Sequence, residues 1–390
     1  MFFNIKRKTL LLVAVFFLFL YIVPHHQYAK DQEIIYALYD AVEDRILEGK
    51  NIEEIVAIAS ISKLMVADLI FDALHQGTLT KDMELTYTQE ETSLYGSDVP
   101  LQPGHKITVE EALNLLLVRS ANSSALLLAK AHSGTEEAFV KAMNQRAKEL
   151  GMEHTRFINS HGLPILSTDD QNTSTIQDLI LLVKHLLQHY PEVLEYTKKP
   201  QYTLERYVVT VTNTNPLLRE KTYPTLDGLK TGTTTKAGKC LIATLTQEAE
   251  GREGQRRIVS FVLGAKTDGE RLKKTKELLD FGLQSFRWQR VLSTDKIYER
   301  ELDPILFEQP TIQTAVRSPM DLVLDLRKNY KLKREFYAMP EETIQEGDTL
   351  GQMLLLEDGK VVYQMELVAK ETVEKSGFFK RLWKKIKSIV

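Results

Sequence analysis

The chain has 390 residues, 43% of them hydrophobic and 26% charged, enough for two folded domains and unlike a disordered or fibrous protein. Fifty basic against fifty-three acidic side chains leave a formal charge of −3, a balance that does not point to nucleic acid as a partner. One cysteine, Cys240, excludes an intramolecular disulfide framework and any multi-cysteine zinc site.

The first predicted element is Lys6-Arg7-Lys8 followed by an uncharged run from Thr9 to Val23. As a helix that run spans about 22 Å, short of the roughly 30 Å hydrocarbon core, so residues 1–29 read as an export signal. Gln27-Tyr28-Ala29 is the nearest approach to a cleavage pattern, and the segment is either removed or kept as an N-terminal anchor. In both cases the positive flank stays inside and the remaining chain is exported.

Next, Ile34–Asp40 and Arg45–Glu48 suggest a hairpin, and Ile61–Leu74 an amphipathic helix closed by Gly77. At its start stands Ala59-Ser60-Ile61-Ser62-Lys63. A serine and a lysine three residues apart share one helix face, so the amine can take the hydroxyl proton. Alone this is weak evidence, and it recurs at Ser293-Thr-Asp-Lys296; that copy lies in a polar stretch, whereas Ser60 opens an apolar helix. Thr108-Val-Glu-Glu111 is a capping box opening a helix through Val118, and Ser120-Ala121-Asn122 lies at its end, where polar residues are common for local reasons. Thr135 caps a helix ending at Gly151, and Ser174–Gln188 forms another.

Three segments, Tyr202–Thr212, Lys239–Thr246 and Arg257–Gly264, read as strands, the last two an antiparallel pair joined by a polar loop. Before that pair comes Asp227-Gly-Leu-Lys230-Thr231-Gly232, either an exposed turn or, because Lys-Thr-Gly is the rarest of the three triplets by chance, part of a site. Thr267-x-x-Glu270 caps a helix to about Phe286. Helices set between groups of antiparallel strands imply an α+β domain over residues 30–290, an antiparallel sheet flanked by helices. Residues 291–372 carry short alternating runs such as Val361–Val368 and read as a small β-rich domain. Residues 373–390 place Phe378, Phe379, Leu382, Trp383 and Ile386 at helical spacing among Lys380, Arg381, Lys384, Lys385 and Lys387: a cationic amphipathic helix suited to a membrane surface. Glu374–Val390 holds six basic residues and one acidic, so the rest of the chain carries −8.

Together and in this order, Ser60-x-x-Lys63, Ser120-x-Asn122 and Lys230-Thr231-Gly232 resemble the motifs of the penicillin-recognising serine enzymes. Gly151-Met-Glu-His-Thr-Arg-Phe157-Ile-Asn-Ser-His-Gly162-Leu163, Ser167-Thr168, Asn213-Thr-Asn215 and Lys236-Ala-Gly238 narrow the resemblance to the D-alanyl-D-alanine carboxypeptidases, the low-molecular-mass penicillin-binding proteins. It runs from about Ile34 to Phe286, and the β-rich domain and tail repeat that family's layout. The resemblance implies a β-lactamase/transpeptidase-like fold on the outer face of the bacterial cytoplasmic membrane. Its substrate would be a peptidoglycan stem peptide ending in D-Ala-D-Ala, with β-lactams as acylating mimics and no metal or organic cofactor.

In that scheme Ser60 is the nucleophile and Lys63 its base, its pKa lowered by burial and by Lys230. Ser120 passes a proton to the leaving amine, and Asn122 holds Lys63 and the substrate amide. Lys230 and Thr231 bind the terminal carboxylate. Gly232 leaves room for substrate at a strand edge, and the N–H groups of Ser60 and Thr233 form the oxyanion hole. Thr233 stands where the family often has a larger His or Tyr, implying a more open site. A DD-endopeptidase or transpeptidase acting on cross-linked peptides, a β-lactamase and a non-catalytic cell-surface scaffold are the other readings. For the β-lactamase, Glu110-Glu-Ala-Leu-Asn114 supplies the right residue types, but before Ser120 instead of after it.

Overall fold

The computed structural model describes residues 33–220, 222–248 and 255–387. The expected export segment, residues 1–29, lies outside them, as do residues 249–254 between the expected strand pair and 388–390 of the expected tail helix. A five-stranded antiparallel sheet is formed by β1 (Ile35–Asp40), β2 (Arg45–Lys50), β3 (Leu226–Thr234), β4 (Gly238–Glu248) and β5 (Gln255–Ala265), in the order β2-β1-β5-β4-β3. The expected hairpin and strand pair are both present, with Tyr36 opposite Lys50 and Ala243 opposite Ser260. Asp227–Gly232 is not an exposed turn. It belongs to β3, an edge strand whose Leu229, Lys230 and Thr231 are buried.

Both faces of the sheet are covered, which explains its nearly continuous apolar strands. Ile35, Ala37, Ile242 and Phe261 point into a helical layer built on α1 (Lys63–His75), α2 (Val109–Asn114), α3 (Asn122–Ser133), α4 (Glu136–Glu149) and α5 (Ile176–His189). The other face takes α6 (Asp268–Ser285), which comes so close that a Cβ on Gly282 would stand 2.9 Å from Ile258 and 3.0 Å from Leu38. In α5 the periodicity and the burial coincide. Ile176, Leu179, Ile180, Val183 and Leu186 form the inward stripe, each worth about 1.5–3 kcal/mol when fully buried, and Thr175 Oγ1 caps the helix by accepting from Asp178 N at 3.0 Å.

Three local expectations need correction. Tyr202–Thr212 is not one strand but a hairpin, Gln201–Leu204 with Val209–Thr212. Its turn, Glu205–Val208, contains no glycine and is held from outside: Arg206 reaches Glu84 at 3.0 Å, and the Tyr207 ring stacks on His105. The helix begun by Thr108 changes at Leu115 to a π-helical turn ending at Arg119. Asn122 does not close a helix; it opens α3.

From β6 (Phe286–Leu292) to residue 369 the regular elements are all strands: β7 (Tyr298–Glu301), β8 (Thr311–Val316), β9 (Met320–Asp325), β10 (Tyr330–Phe336), β11 (Thr349–Glu357) and β12 (Lys360–Ala369). β6 pairs with β9, and the others form a sheet in the order β7-β8-β12-β11-β10. These sheets enclose separate small cores, one around Leu322, Met353 and Leu367 and one around Phe307, Ile312 and Leu350. Their link to the first hairpin is polar: Arg45 Nη2 donates to Val323 O and Val323 N donates to Glu43 Oε1, both at 2.9 Å. The last described element is α7 (Phe378–Lys387).

Candidate active site

A single 3₁₀ turn, Ala59–Ser62, delivers Ser60 to the start of α1. Ala59 has φ 47°, and Ser62 Oγ donates back to Ala59 O at 2.6 Å, so the turn is fixed locally. Asn172, itself fully buried, ties the turn to the loop at 158–163. Its Nδ2 donates to Ser62 Oγ (2.9 Å) and Asn159 O (3.0 Å), and its Oδ1 accepts from Ile158 N (2.7 Å).

One helical turn later Lys63 is wholly buried, with Nζ 2.9 Å from Ser60 Oγ, 2.8 Å from Asn122 Oδ1 and 2.6 Å from His161 O. Burial, helped by the charge of Lys230, holds its pKa well below the usual lysine range, against an opposing pull from Asp98. A neutral amine has two N–H groups and one lone pair. Donation to Asn122 and His161 uses both N–H groups, which leaves the lone pair for the Ser60 proton.

The π-helical turn leaves Ser120 in the left-handed region, φ 64°, with Ala121 N bonded back to Leu115 O at 3.1 Å. Ser120 Oγ accepts from Lys230 Nζ at 2.7 Å. Lys230 is also fully buried; desolvation, then Arg271, lowers its pKa to about 7. Beside it Thr231 Oγ1 donates to Thr214 Oγ1 at 2.6 Å.

Gly232 has a packing reason beside the one expected. A Cβ there would stand 2.9 Å from Ile58 O and 3.2 Å from Ser60 N, so its missing side chain lets β3 approach the Ala59–Ser62 turn. Gly162 does the same from the other side: at φ +87° its Cβ would fall 2.1 Å from Ala59 O.

Ser60, Ser120, Asn122, Thr231, Gly232 and Thr233 line one cleft of about 490 Å³, with Lys63 and Lys230 buried in its wall. All eight expected site residues therefore come together. Thr214, Leu163 and Arg271 also line it and were not singled out from the sequence. Nor was His161, whose carbonyl touches Lys63 and whose imidazole is kept neutral by burial, its pKa lowered to about 3. Their only signal was that Asn213-Thr-Asn215 and Ser160-His-Gly162-Leu163 stood among the family-like stretches. Arg271 had none; it is buried on α6, and its Nε has no hydrogen-bond partner.

The competing motifs lie elsewhere. Ser293 Oγ bonds Asp295 at 3.3 Å while Lys296 stands over the Tyr298 ring, 5.6 Å from its centroid. Glu110 is held by Tyr196 and Lys81, at 2.5 and 3.5 Å. Among the described residues no group of three His, Cys, Asp or Glu side chains is placed to hold a metal.

Comparison with known proteins places this geometry. A D-alanyl-D-alanine carboxypeptidase family model, Peptidase S11, matches residues 27–267. The D-alanyl-D-alanine carboxypeptidase DacF of Bacillus subtilis is 32% identical over 353 residues, 86% of this chain and 84% of that protein. Among solved structures, penicillin-binding protein 6B of Escherichia coli is 25% identical with a TM-score of 0.66, covering 87% of this chain and 95% of that one. Penicillin-binding protein D2 of Listeria monocytogenes, in its cefotaxime-bound form, is 34% identical with a TM-score of 0.56, covering 64% and 96%. With a family model over more than half its length and the same fold around the cleft, the chain belongs to the D-alanyl-D-alanine carboxypeptidases of the S11 serine peptidase family.

Proposed function

We propose that Ser60 is the nucleophile of a serine D-Ala-D-Ala carboxypeptidase and that Lys63 is its general base. The observation that carries the reading is the Lys63 amine, buried and held between Asn122 and His161 with its third contact on Ser60 Oγ. Ser60 Oγ attacks the carbonyl carbon between the two D-alanines as its proton passes to Lys63 Nζ. The tetrahedral oxyanion is received by the N–H groups of Ser60 and Thr233, such a donor being worth about 3 kcal/mol. Collapse breaks the C–N bond, the proton held by Lys63 is relayed through the Ser120 hydroxyl to the departing amine, which leaves Lys63 neutral and Ser120 a hydroxyl again, and the last D-alanine leaves. Water then hydrolyses the ester and restores Ser60.

Carboxypeptidase specificity follows from the far wall. Lys230, Thr231 and Arg271 gather positive charge and donors where a free C-terminal carboxylate would sit. A β-lactam offers a carboxylate and a strained amide in one molecule, and the relative named for its cefotaxime-bound form suits the same reading here. Glu110, held outside the cleft, is unsuited to the β-lactamase role.

The protein is a cell-wall hydrolase that works outside the cytoplasm. We assign residues 1–29 to export, 30–290 to catalysis, 291–372 to a spacer and 373–390 to the membrane surface. No helix among the described residues is long and apolar enough to cross a membrane. α7 instead leaves Phe378, Phe379, Trp383 and Ile386 more than half exposed, while Lys384 turns inward onto Phe307 O (2.8 Å) and the exposed Lys380 pairs with Glu308 at the surface (2.9 Å). An apolar face turned outward on a cationic helix suits an anionic bilayer surface.

Fluorescent penicillin tests the nucleophile. Wild type and Ser293→Ala label covalently, and Ser60→Ala does not; a labelled Ser60→Ala protein would overturn the assignment. D-Alanine released from a monomeric pentapeptide, with a cross-linked dimer left uncut, separates carboxypeptidase from endopeptidase.

A further inference from the structure

Asp98 is a half-buried carboxylate that none of the steps above uses, next in sequence to Gly96 and Ser97, which line the cleft. Its loop is laced to the segment carrying Ser120 and Asn122. Asn122 N donates to Ser97 O (2.9 Å), Asn122 Nδ2 to Tyr95 O (2.6 Å), Ser97 Oγ to Arg119 O (2.7 Å) and Arg119 Nε to Asp98 O (3.3 Å). The Asp98 carboxylate itself accepts from Val99 N (2.9 Å), from Ser123 N (3.2 Å) and, in a short contact, from Ser123 Oγ. It thus sits at the N-terminus of α3, a helix of 12 residues, where unpaired amides and the helix dipole favour an anion. The first residue of that helix is Asn122, which binds Lys63.

We propose that Asp98 is a positioning residue: its carboxylate holds the first turn of α3, and thereby Asn122 Oδ1, against the amine that serves Ser60. The inference rests on the reading of Ser60 and Lys63 as nucleophile and base. Asp98 also brings a negative charge close enough to Lys63 to favour the protonated amine, opposing burial and Lys230. The other groups facing this pair are Lys230 from β3, Arg119 from the π-helical turn, His161 and Tyr87. His161 is kept neutral, and burial pushes the Tyr87 phenol, which bonds Ser123 and Ser124, up to about 12. Burial raises the pKa of Asp98, while its three donors and Lys63 favour the charged form.

The two roles separate in Asp98→Asn. That variant keeps the volume, loses the charge and presents an amide N–H toward donors, so its grip on Ser123 weakens. Penicillin acylation rates across pH should show a plateau lowered about 3- to 10-fold and an acid limb moved down by about half to one pH unit, because an amine without its counter-charge deprotonates more easily. Ser123→Ala keeps the carboxylate; its plateau falls without a downward shift of the limb. A purely structural residue would lower the plateau alone.

An Asp98→Asn profile with an unmoved limb, or one moved upward, overturns the proposal. Asp98→Ser repeats the test, and loss of cooperative melting in both variants would overturn it by making Asp98 a folding residue. The underlying reading fails differently: wild type would lack the acid limb altogether, or would label at a residue other than Ser60.

Discussion

At the scale of the residue, the proposed mechanism gives two lysines in one wall different duties because their surroundings differ. As a base Lys63 would work only when neutral, and Lys230 would bind a carboxylate only when charged. For Lys63 burial lowers the pKa and so raises the share of neutral amine at any given pH, and kcat/KM should fall as pH drops through that pKa. Lys230, with a pKa lowered to about 7, is charged below that value and loses its charge above it. We therefore expect KM for a D-Ala-D-Ala peptide to rise on the alkaline side, starting near pH 7, with kcat much less affected. Initial rates from pH 5 to 9 check both limbs; a rise in KM toward acid pH would contradict the assignment to Lys230. Lys63→Arg, whose guanidinium stays protonated, should lower acylation by about 10²–10⁴-fold, the usual worth of a general base.

Between elements, the decisive contact is the approach of β3 to the nucleophile turn. Gly232→Ala would push a methyl group to 2.9 Å from Ile58 O, so strand and turn must part, spoiling the oxyanion geometry between Ser60 N and Thr233 N. Acylation should fall by about 10²-fold, the scale of one lost oxyanion donor, while the melting temperature changes little. A variant acylated at the wild-type rate would show that the two elements can separate without loss. Much of this layer was legible in the sequence. Thr108, Thr135, Thr175 and Thr267 all cap helices, three of them named beforehand from local spacing alone, because a cap is decided by residues within one turn of it. What local spacing could not provide was the register of distant segments. Nothing near Tyr207 announces a turn, because His105 and Glu84 stabilise it from about a hundred residues away. Lys230 reads as a surface residue until Ser120 is placed against it, and His161 acts through its carbonyl, which carries no residue identity.

For the whole molecule, the question is how a cleft in one half would be held relative to a membrane if the proposed contact is made by the other end. Both connections are fixed by bonds: Arg45 and Glu43 grip β9, and Lys380 and Lys384 grip the stretch at Phe307 and Glu308. On the proposed membrane reading, α7 would meet a bilayer as a preformed face and lose little folding entropy at binding, unlike a disordered tail. Two forces should be separable there. Charge attraction, roughly 1 kcal/mol per basic residue near an anionic surface, is screened by salt, whereas burial of Phe379 and Trp383 is not. With residues 1–29 deleted, so that the tail alone can hold the protein, we expect sedimentation with vesicles containing anionic lipid and its loss on truncation after Val373. Phe379→Ala with Trp383→Ala should weaken binding by a similar factor at low and high salt, and Lys385→Glu with Lys387→Glu mainly at low salt. If the apolar face instead paired with a second copy, truncation would turn a dimer into a monomer without vesicles present, and sedimentation velocity would report it.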